Sequence, residues 1–443
     1  MTDGVDPYDE FPYRGRSIEW SAPERLALAS LLHGGPRVEL GRYRLLALGC
    51  GEGANLLPLA WYRRHASFVG IDRARGRIEL ARQRAADLGL DNVEFIHADL
   101  AAAPDGQDGQ LGEQLGERFD FILAHGLLSW VSAPVRDAVL RLCAQVLRPQ
   151  GLFYFNYNTM PGWAVRGMVR DFLLAQTAEI RGLGARAEAA QAVCGRLSAA
   201  MDDDDPSPYR RLIAGELRFV CEGHRTWVAH EFLAPDNHAY WRSELLAMLE
   251  AHGLTHVADA DFDQPWARDD GQLEPWLRGE GIEGRAVSDT ADLLRYRQLH
   301  SPIVTTRPWS SRPPQTHELG ALRIASCLNL RAASGEGGPW VFEHPSGYEV
   351  EVRDEAVREA LRRLQPRWPA GLRVDEVFAD VEEVAEDLLL LHRNDLVRLR
   401  LVEPEPDDAY GDGLARHEAA WGGYRTTARH TRVAVATSDP PDG

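Results

Sequence analysis

The first 160 residues alternate short apolar runs with helix-like segments, and this alternation limits the fold more than any other feature of the sequence. The apolar runs predict strands at 43–48, 67–71, 93–97, 119–124 and 152–157. The segments between them predict helices at 55–64, 75–88 and 134–147. Strands joined through helices at this spacing form a parallel sheet with helices on both faces. We therefore predict an α/β protein with a doubly wound sheet.

Helical patterns dominate the chain after residue 160. They run from Trp163 to Met201 and end at the acidic break 202–206. Strand-like runs return near 255–260 and at 299–306, so we expect these two segments to complete the sheet. The helices of about 161–228 would then be an insertion placed over the functional site.

The C-terminal part of the chain predicts a smaller α+β unit. Its pattern is two short strands, three helices and a final strand, at 340–343, 348–352, 354–364, 373–380, 381–393 and 396–402. That order is typical of a winged-helix-like module. Because the segment is rich in Glu and Asp, we expect it to bind protein rather than DNA.

Composition excludes several classes of protein. The 67 acidic residues exceed the 49 basic ones and give a net charge of −18, which argues against nucleic-acid binding. No apolar run approaches the ~20 residues of a membrane span, and Met1–Tyr13 lacks the basic and apolar regions of a signal peptide. The five cysteines form no Cys-x-x-Cys pair, so neither a disulfide framework nor a zinc site fits them. We expect a cytoplasmic protein.

The strongest chemical signal lies at Leu45–Gly53, where an apolar strand runs into Gly-x-Gly-x-Gly and a helix start. Glycine lets the backbone turn sharply and approach a ligand closely. The free N–H groups of the following helix suit a carboxylate or a phosphate. The motif alone also fits dinucleotide binding, so other residues are needed to identify the ligand.

Two acids at strand ends favour one cofactor. Asp72 ends the second strand, 23 residues after Gly49, where it can accept hydrogen bonds from two ribose hydroxyls. Asp99 follows the third strand, where it can accept from an adenine amine while apolar neighbours hold the ring. Either acid alone is equally explained as a helix cap or a turn residue. Together with Gly-x-Gly-x-Gly they favour S-adenosylmethionine over NAD.

With these motifs the sequence resembles the class I, seven-stranded S-adenosylmethionine-dependent methyltransferases. Phe119–Val131 and Asn156–Trp163 resemble bacterial methyltransferases that carry a methyltransferase regulatory domain. That family includes protein-lysine methyltransferases that act on bacterial outer-membrane proteins. His230–Leu233 and Arg295–Thr305 resemble the start and the end of the regulatory domain. The resemblance implies a Rossmann-like sheet of seven strands, with S-adenosylmethionine as the cofactor and S-adenosylhomocysteine as its product.

We therefore expect four parts in the chain: an S-adenosylmethionine-binding catalytic domain, a linker, a winged-helix-like interaction domain and an irregular tail, at 1–305, 306–339, 340–405 and 406–443. The predicted cofactor contacts are Tyr13, Gly49, Cys50, Gly51, Gly53, Asn55, Asp72, Arg73, Ala98, Asp99, Leu100 and His125. Tyr13 is expected to act as a lid over the cofactor.

The predicted catalytic residues are His125, Trp130, Asn156 and Tyr157, because the ends of the fourth and fifth strands are where open α/β sheets bind ligands. Trp130 can hold a cationic amine or a sulfonium, although Trp130 and Tyr157 are equally explained by packing beneath the insertion. His125 can contact the cofactor or relay a proton. His230 and Glu231 suggest zinc, but no second histidine follows at helical spacing, so we predict no metal.

Methyl transfer from a sulfonium is an in-line displacement that depends mainly on alignment and on the exclusion of water. A lysine amine with a pKa of about 10.4 must first lose a proton, at roughly 4.6 kcal/mol at pH 7, and desolvation can supply much of this. The acidic surface would attract a basic substrate. We therefore predict transfer to a protein or peptide, with a lysine amine as the favoured acceptor.

Two other functions stay open. One is methylation of a small metabolite or of a ribosomal natural-product peptide. The other is a non-catalytic protein that senses the cofactor, because Ala47 stands where the family usually has an acid. As partners we expect a protein or peptide substrate, no nucleic acid and no membrane, and we leave a homodimer open.

Overall fold

The computed structural model describes residues 7–13, 15–100, 108–116, 118–201, 206–261, 272–306, 308–309, 312–333, 338–345, 347–403, 414, 424–426 and 432–434. Its first nine strands are β1 (Arg44–Leu48), β2 (Ser67–Asp72), β3 (Val93–His97), β4 (Phe119–Ala124), β5 (Leu147–Phe155), β6 (Tyr157–Asn158), β7 (Thr255–Asp259), β8 (Leu299–His300) and β9 (Pro302–Thr305). The later strands are β10 (Arg323–Ala325), β11 (Asn329–Ala333), β12 (Trp340–Glu343), β13 (Glu349–Val352), β14 (Leu372–Arg373), β15 (Arg398–Arg400), β16 (Tyr424–Thr426) and β17 (Arg432–Ala434).

The helices up to the middle of the chain are α1 (Pro7–Glu10), α2 (Pro23–Leu32), α3 (Leu56–Tyr62), α4 (Arg75–Asp87), α5 (Asp108–Leu115), α6 (Ala133–Val146), α7 (Trp163–Gln176), α8 (Leu183–Ala199), α9 (Pro208–Glu222) and α10 (Arg225–Leu233). The later helices are α11 (Arg242–Ala251), α12 (Leu273–Gly279), α13 (Ala286–Arg295), α14 (Thr316–Gly320), α15 (Glu355–Leu364), α16 (Val374–Val377) and α17 (Ala385–Arg393). Short 3-10 helices lie at Glu19–Ser21, Leu128–Trp130 and Gln365–Arg367.

A seven-stranded sheet forms the first part of the molecule, with the strand order β3-β2-β1-β4-β5-β9-β7. Strands β1 to β5 are parallel, whereas β9 pairs antiparallel with both β5 and β7. The prediction of a doubly wound α/β sheet, completed late in the sequence, is confirmed by this order.

The apolar runs are continuous because both faces of the sheet are covered. On β1, Leu45 faces a core that is shared with helices α2, α3 and α4. Its neighbour Leu46 faces the opposite core, which helices α6 and α11 close. Successive side chains of a strand point to opposite faces, so the residues in the middle of such a strand are apolar on both faces.

Helices α7 to α10 lie between β6 and α11 in the sequence and have a core of their own. Leu173, Cys194, Leu217 and Phe232 meet in it, and Phe11 from the N-terminal segment packs against it. The last of these helices ends at Leu233, slightly beyond the expected end of the insertion near 228. Strand β6, which precedes them, pairs antiparallel with β8.

The segment expected as a linker, 306–339, differs from that expectation because it contains α14, β10 and β11. Strand β10 lies between β14 and β15 in a three-stranded sheet. Its Ile324 is buried in a core with Leu319, Leu361 and Leu399. These buried apolar residues need partners, so the segment folds with the C-terminal unit. We propose that this unit begins near Thr316.

Two further features concern the rest of the chain. Strands β16 and β17 pair antiparallel within the segment that was expected to be an irregular tail. Among the described residues, no helix combines the length and the apolar character that crossing a membrane requires.

Candidate functional site

A cavity of about 1550 Å³ opens at the carboxyl ends of the parallel strands. Its wall is built from the ends of β1 to β5, from the N-terminal segment before α2, and from helices α7 and α10. This edge is where open α/β sheets bind their ligands. Every residue predicted for the site lines the cavity except Gly53 and Tyr157.

The glycine turn after β1 forms one end of the cavity. Gly49, Gly51 and Gly53 have φ values of 67°, 53° and 77°, a left-handed region that other residues adopt at a cost. A Cβ atom on Gly51 would meet no atom within 4 Å, so the backbone there faces open space. A Cβ atom on Gly53 would lie 2.9 Å from the ring of Phe95. Gly53 therefore shapes the turn and does not line the cavity, which corrects its predicted role as a cofactor contact.

Asp72 connects the end of β2 to this turn. Its Oδ2 accepts a hydrogen bond from the Gly51 N–H at 2.8 Å, and its Oδ1 accepts one from the Ala74 N–H at 2.9 Å. Asp99 lines the cavity beyond β3, together with Ala98 and Leu100. A carboxylate at each strand end, next to a backbone that no Cβ atom covers, fits the ribose, the adenine and the amino-acid part of S-adenosylmethionine.

The N-terminal segment crosses the cavity wall. The Gly15 N–H donates to Glu52 Oε1 at 3.0 Å, and the Ile18 N–H donates to Asn55 Oδ1 at 2.8 Å. Tyr13 lines the cavity between these contacts and helix α10. Burial raises the pKa of Tyr13, so its phenol stays neutral near pH 7.

His125 follows β4 and lines the cavity. Its Nδ1 lies 2.7 Å from the hydroxyl of Tyr154, a buried residue of β5. Burial lowers the pKa of His125 to about 3, and the nearby charge of Arg16 acts in the same direction. The imidazole is therefore neutral near pH 7, and it places no positive charge beside a sulfonium.

Strand alternation explains where the residues after β5 lie. Asn156 lines the cavity, and its Oδ1 accepts from the Gly126 N–H at 2.5 Å. Tyr157 is 1% exposed, points to the opposite side and stacks on His300 with 5.6 Å between the ring centroids. The prediction of Tyr157 as a catalytic residue is thus corrected, because Tyr157 and its neighbour Asn158 on β6 face opposite ways.

Asn158, two residues after Asn156, also faces the cavity. It was not predicted from the sequence as a site residue. It lines the cavity and is 4% exposed, and its Nδ2 has no hydrogen-bond partner among the described residues. The signal that could have found it is the period of two in Asn156-Tyr157-Asn158.

Two tryptophans line the cavity beyond the strand ends. The rings of Trp130 and Trp163 are nearly perpendicular, with centroids 6.2 Å apart. The Nε1 atom of Trp163 is buried, and none of the described residues accepts a hydrogen bond from it. The guanidinium of Arg166 lies 5.3 Å from the centroid of the same ring.

Helix α10 contributes His230 and Glu231 to the wall. His230 stacks on Tyr8 at 4.5 Å, and its Nε2 lies 2.6 Å from the carbonyl oxygen of Phe11. Glu231 Oε1 lies 3.8 Å from Arg166 Nη1. Within the part of the chain that the structure describes, no group of three or more His, Cys, Asp or Glu side chains could hold a metal.

Comparison with known proteins agrees with this geometry. A family model described as a methyltransferase domain matches residues 41–182. The chain is similar to protein RP789 of Rickettsia prowazekii, with 28% identity over 257 residues, which are 58% of this chain and 45% of that protein. It is also similar to protein RP028 of the same organism, with 26% identity over 52% of this chain and 88% of that protein. The match therefore spans less than half of the length of RP789.

Among solved structures, PKMT2 from Rickettsia typhi shares the fold. The TM-score is 0.80 at 17% sequence identity, over 96% of this chain and 86% of that chain. PKMT2 has also been solved in complex with AdoHcy. The matched family model and the seven-stranded sheet lead to one conclusion: the chain carries a class I, S-adenosylmethionine-dependent methyltransferase domain.

Proposed function

We propose that the protein transfers the methyl group of S-adenosylmethionine to the side-chain amine of a lysine in a protein or peptide. One observation carries this proposal. Trp130, Trp163 and Glu231 all line the cavity, and they are neighbours. The two tryptophan rings contact each other, and Arg166 lies near both Trp163 and Glu231. Aromatic faces and a carboxylate are what a cationic amine on an apolar stem requires.

The strand ends would hold the cofactor. Asp72 accepts from the ribose hydroxyls, Asp99 accepts from the adenine amine, and the turn from Gly49 to Gly51 receives the amino-acid part. When bound, S-adenosylmethionine supplies an electrophilic methyl group on a sulfonium. The chain itself contributes alignment and the exclusion of water.

The acceptor region would prepare the amine. Trp130 and Trp163 present ring faces and edges that replace water around the nitrogen, and desolvation lowers the pKa of a lysine amine. The neutral His125 adds no repulsion toward either cation. The ring faces and the carboxylate would thus bind the ammonium form, while desolvation lowers the cost of its deprotonation before it meets the methyl group.

Two further properties support a protein acceptor. The net charge of −18 attracts basic regions of a partner, and the chain itself contains no lysine that could compete as a substrate. The fold is shared with PKMT2, a protein lysine methyltransferase, and this likeness supports the same substrate class.

A second candidate is methylation of a small metabolite. The cavity volume of about 1550 Å³ favours it, because pockets for small ligands typically occupy about 300–1,000 Å³ and this cavity has room for a cofactor and a metabolite together.

The test supplies the protein with radiolabelled S-adenosylmethionine and three acceptor pools. The pools are a denatured protein extract, the same extract with its lysines chemically blocked, and the small-molecule fraction. We expect label on lysines of the first pool, located by mass spectrometry, and little label in the second. Label confined to the small molecules would establish the second candidate instead.

A further inference from the structure

Glu231 places a carboxylate in the cavity wall, and this residue is not part of the proposed cofactor site. It lies on helix α10, and its side chain is 20% exposed. Its ion-pair contact with Arg166, measured from Oε1 to Nη1, is long at 3.8 Å. The sequence placed this residue in the segment His230–Leu233 and suggested it as a zinc ligand, but its neighbours come from other helices that no local pattern reveals.

The nearby arginines are already engaged elsewhere. Arg166 donates from Nε to Glu216 Oε2 at 3.0 Å, and its guanidinium also lies 4.4 Å from the ring centroid of Phe219. Arg170 donates to the carbonyl oxygen of Ala234. Two carboxylates, those of Glu216 and Glu231, thus share Arg166 as their near cation, and Glu231 is the more distant of the two.

This arrangement leaves Glu231 poorly neutralised. Burial raises the pKa of Glu231 to about 7, and Glu216 acts in the same direction, while Arg166 and Arg170 oppose the rise. A group that titrates near 7 gains from the arrival of a cation, because the cation restores the ionised form. Perturbed groups of this kind in a cavity are typical of functional sites.

Two unsatisfied donors lie in the same wall. Trp163 Nε1 and Asn158 Nδ2 are buried, and neither has a partner among the described residues. Both residues line the cavity. Carbonyl oxygens of a peptide can satisfy such donors, so the two atoms are available to a polar chain that carries the amine.

We propose that Glu231, Trp130 and Trp163 form the subsite for the acceptor amine, and that Glu231 both binds the ammonium and takes its proton. This inference rests on the proposed lysine methylation. An N–H bond of the ammonium breaks and an O–H bond forms on Glu231. The freed lone pair on nitrogen then forms the N–C bond to the methyl group, while the S–C bond breaks and its electron pair stays on sulfur. The positive charge moves from sulfur to nitrogen, and Glu231 returns its proton to water.

The inference predicts a pH profile. The groups that face Glu231 are Arg166 and Arg170 on α7, Glu216 on α9 and Tyr13 in the N-terminal segment. Only the ionised carboxylate can accept the proton, so kcat/KM rises with pH and levels off above about 7. Glu216→Gln removes a like charge, and the rise should therefore move to lower pH.

The experiment uses the full chain, a library of short peptides with one lysine each, and n-butylammonium as a probe for amine binding. Glu231→Gln should reduce kcat at least about 100-fold, as expected for loss of a general base. It should also abolish the rise of kcat/KM with pH below about 7, the acidic limb of the profile. It should lower the affinity for n-butylammonium at least about tenfold and leave the affinity for the cofactor unchanged, both measured by calorimetry. The matched control is Glu188→Gln, on α8 with its side chain 67% exposed, which should change nothing.

The outcomes separate the two proposals. A Glu231→Gln protein that binds the cofactor, keeps its kcat and keeps the acidic limb overturns the role of Glu231, while lysine methylation stands. A wild-type protein that labels no lysine in any peptide overturns the proposed function. In that case, loss of n-butylammonium binding in Glu231→Gln still supports an amine subsite, and unchanged binding overturns it.

Discussion

At the scale of single residues, Asp72 carries the most weight. One carboxylate accepts from the N–H groups of Gly51 and Ala74, so it fixes the glycine turn while it also faces the cavity. Such a residue acts on binding in two ways, through its own contact and through the shape of its neighbour.

Asp72→Ala should therefore weaken S-adenosylmethionine binding by about 10- to 100-fold, since a hydrogen bond to a charged group contributes about 1.5–3 kcal/mol. Isothermal calorimetry measures the change. Asp87→Ala, at an exposed position on α4, is the control and should bind normally. Unchanged affinity in Asp72→Ala would contradict the assignment of this end of the cavity to the cofactor.

The low pKa of His125 has a consequence for stability. In the unfolded chain a histidine titrates near 6.5, whereas burial holds the pKa of His125 at about 3. As the pH falls from 7 to 5 the unfolded state gains a proton that the folded state does not bind, so stability falls. The free energy of unfolding, relative to His125→Gln, should drop by about 2 kcal/mol. Urea titrations at both pH values test this, and a constant difference would contradict it.

Sequence reasoning succeeded at residues where the strand ends decide the position. Asp72 ends β2 and Asp99 lies just beyond β3, and parallel strands place such residues on one edge of the sheet. The prediction for Tyr157 was wrong, because on β6 its side chain faces away from the cavity while that of Asn158 faces into it. Sequence reasoning also could not assign Glu231, because the partners of that residue lie on α7 and α9 and no local pattern shows them.

At the scale of elements, the N-terminal segment and helix α10 form one unit of the cavity wall. His230 joins them through the carbonyl of Phe11 and through the ring of Tyr8, and Tyr13 lies edge-on at 5.9 Å. The segment is thus held at both ends, by α10 on one side and by Glu52 and Asn55 on the other.

His230→Ala should loosen the segment and raise the dissociation rate of S-adenosylmethionine, with a smaller effect on the association rate. Stopped-flow fluorescence of a cofactor analogue measures both rates. His317→Ala, exposed on α14, serves as the control. Equal dissociation rates for His230→Ala and wild type would show that the segment does not retain the cofactor.

The sheet itself was largely predictable, since most of its strands are apolar runs between helix or turn signals. The linker expectation failed because strand β10 has only three residues, Arg323–Ala325, and too short a run carries no visible alternation. Its place between β14 and β15 depends on residues that follow it in the chain by about 50 to 75 positions.

At the scale of the whole molecule, the net charge of −18 attracts positively charged molecules over a distance of about one Debye length. If basic protein segments are the acceptors, kcat/KM should fall several-fold between low salt and about 0.5 M NaCl, because the Debye length shrinks well below 10 Å. A lysine peptide with neutral neighbours is the matched substrate and should respond far less. If salt changes kcat/KM equally for the two peptides, charge attraction does not contribute to substrate binding.

The C-terminal unit shares its interior with the methyltransferase domain. Leu28, Leu31 and Leu32 of helix α2 pack in the same core as Leu319 and Ile324. A chain truncated before Thr316 would expose these three leucines to water as an apolar patch on α2. Exposed patches of this kind promote aggregation. Because both parts bury side chains of helix α2, we expect the methyltransferase domain and the C-terminal unit to unfold together.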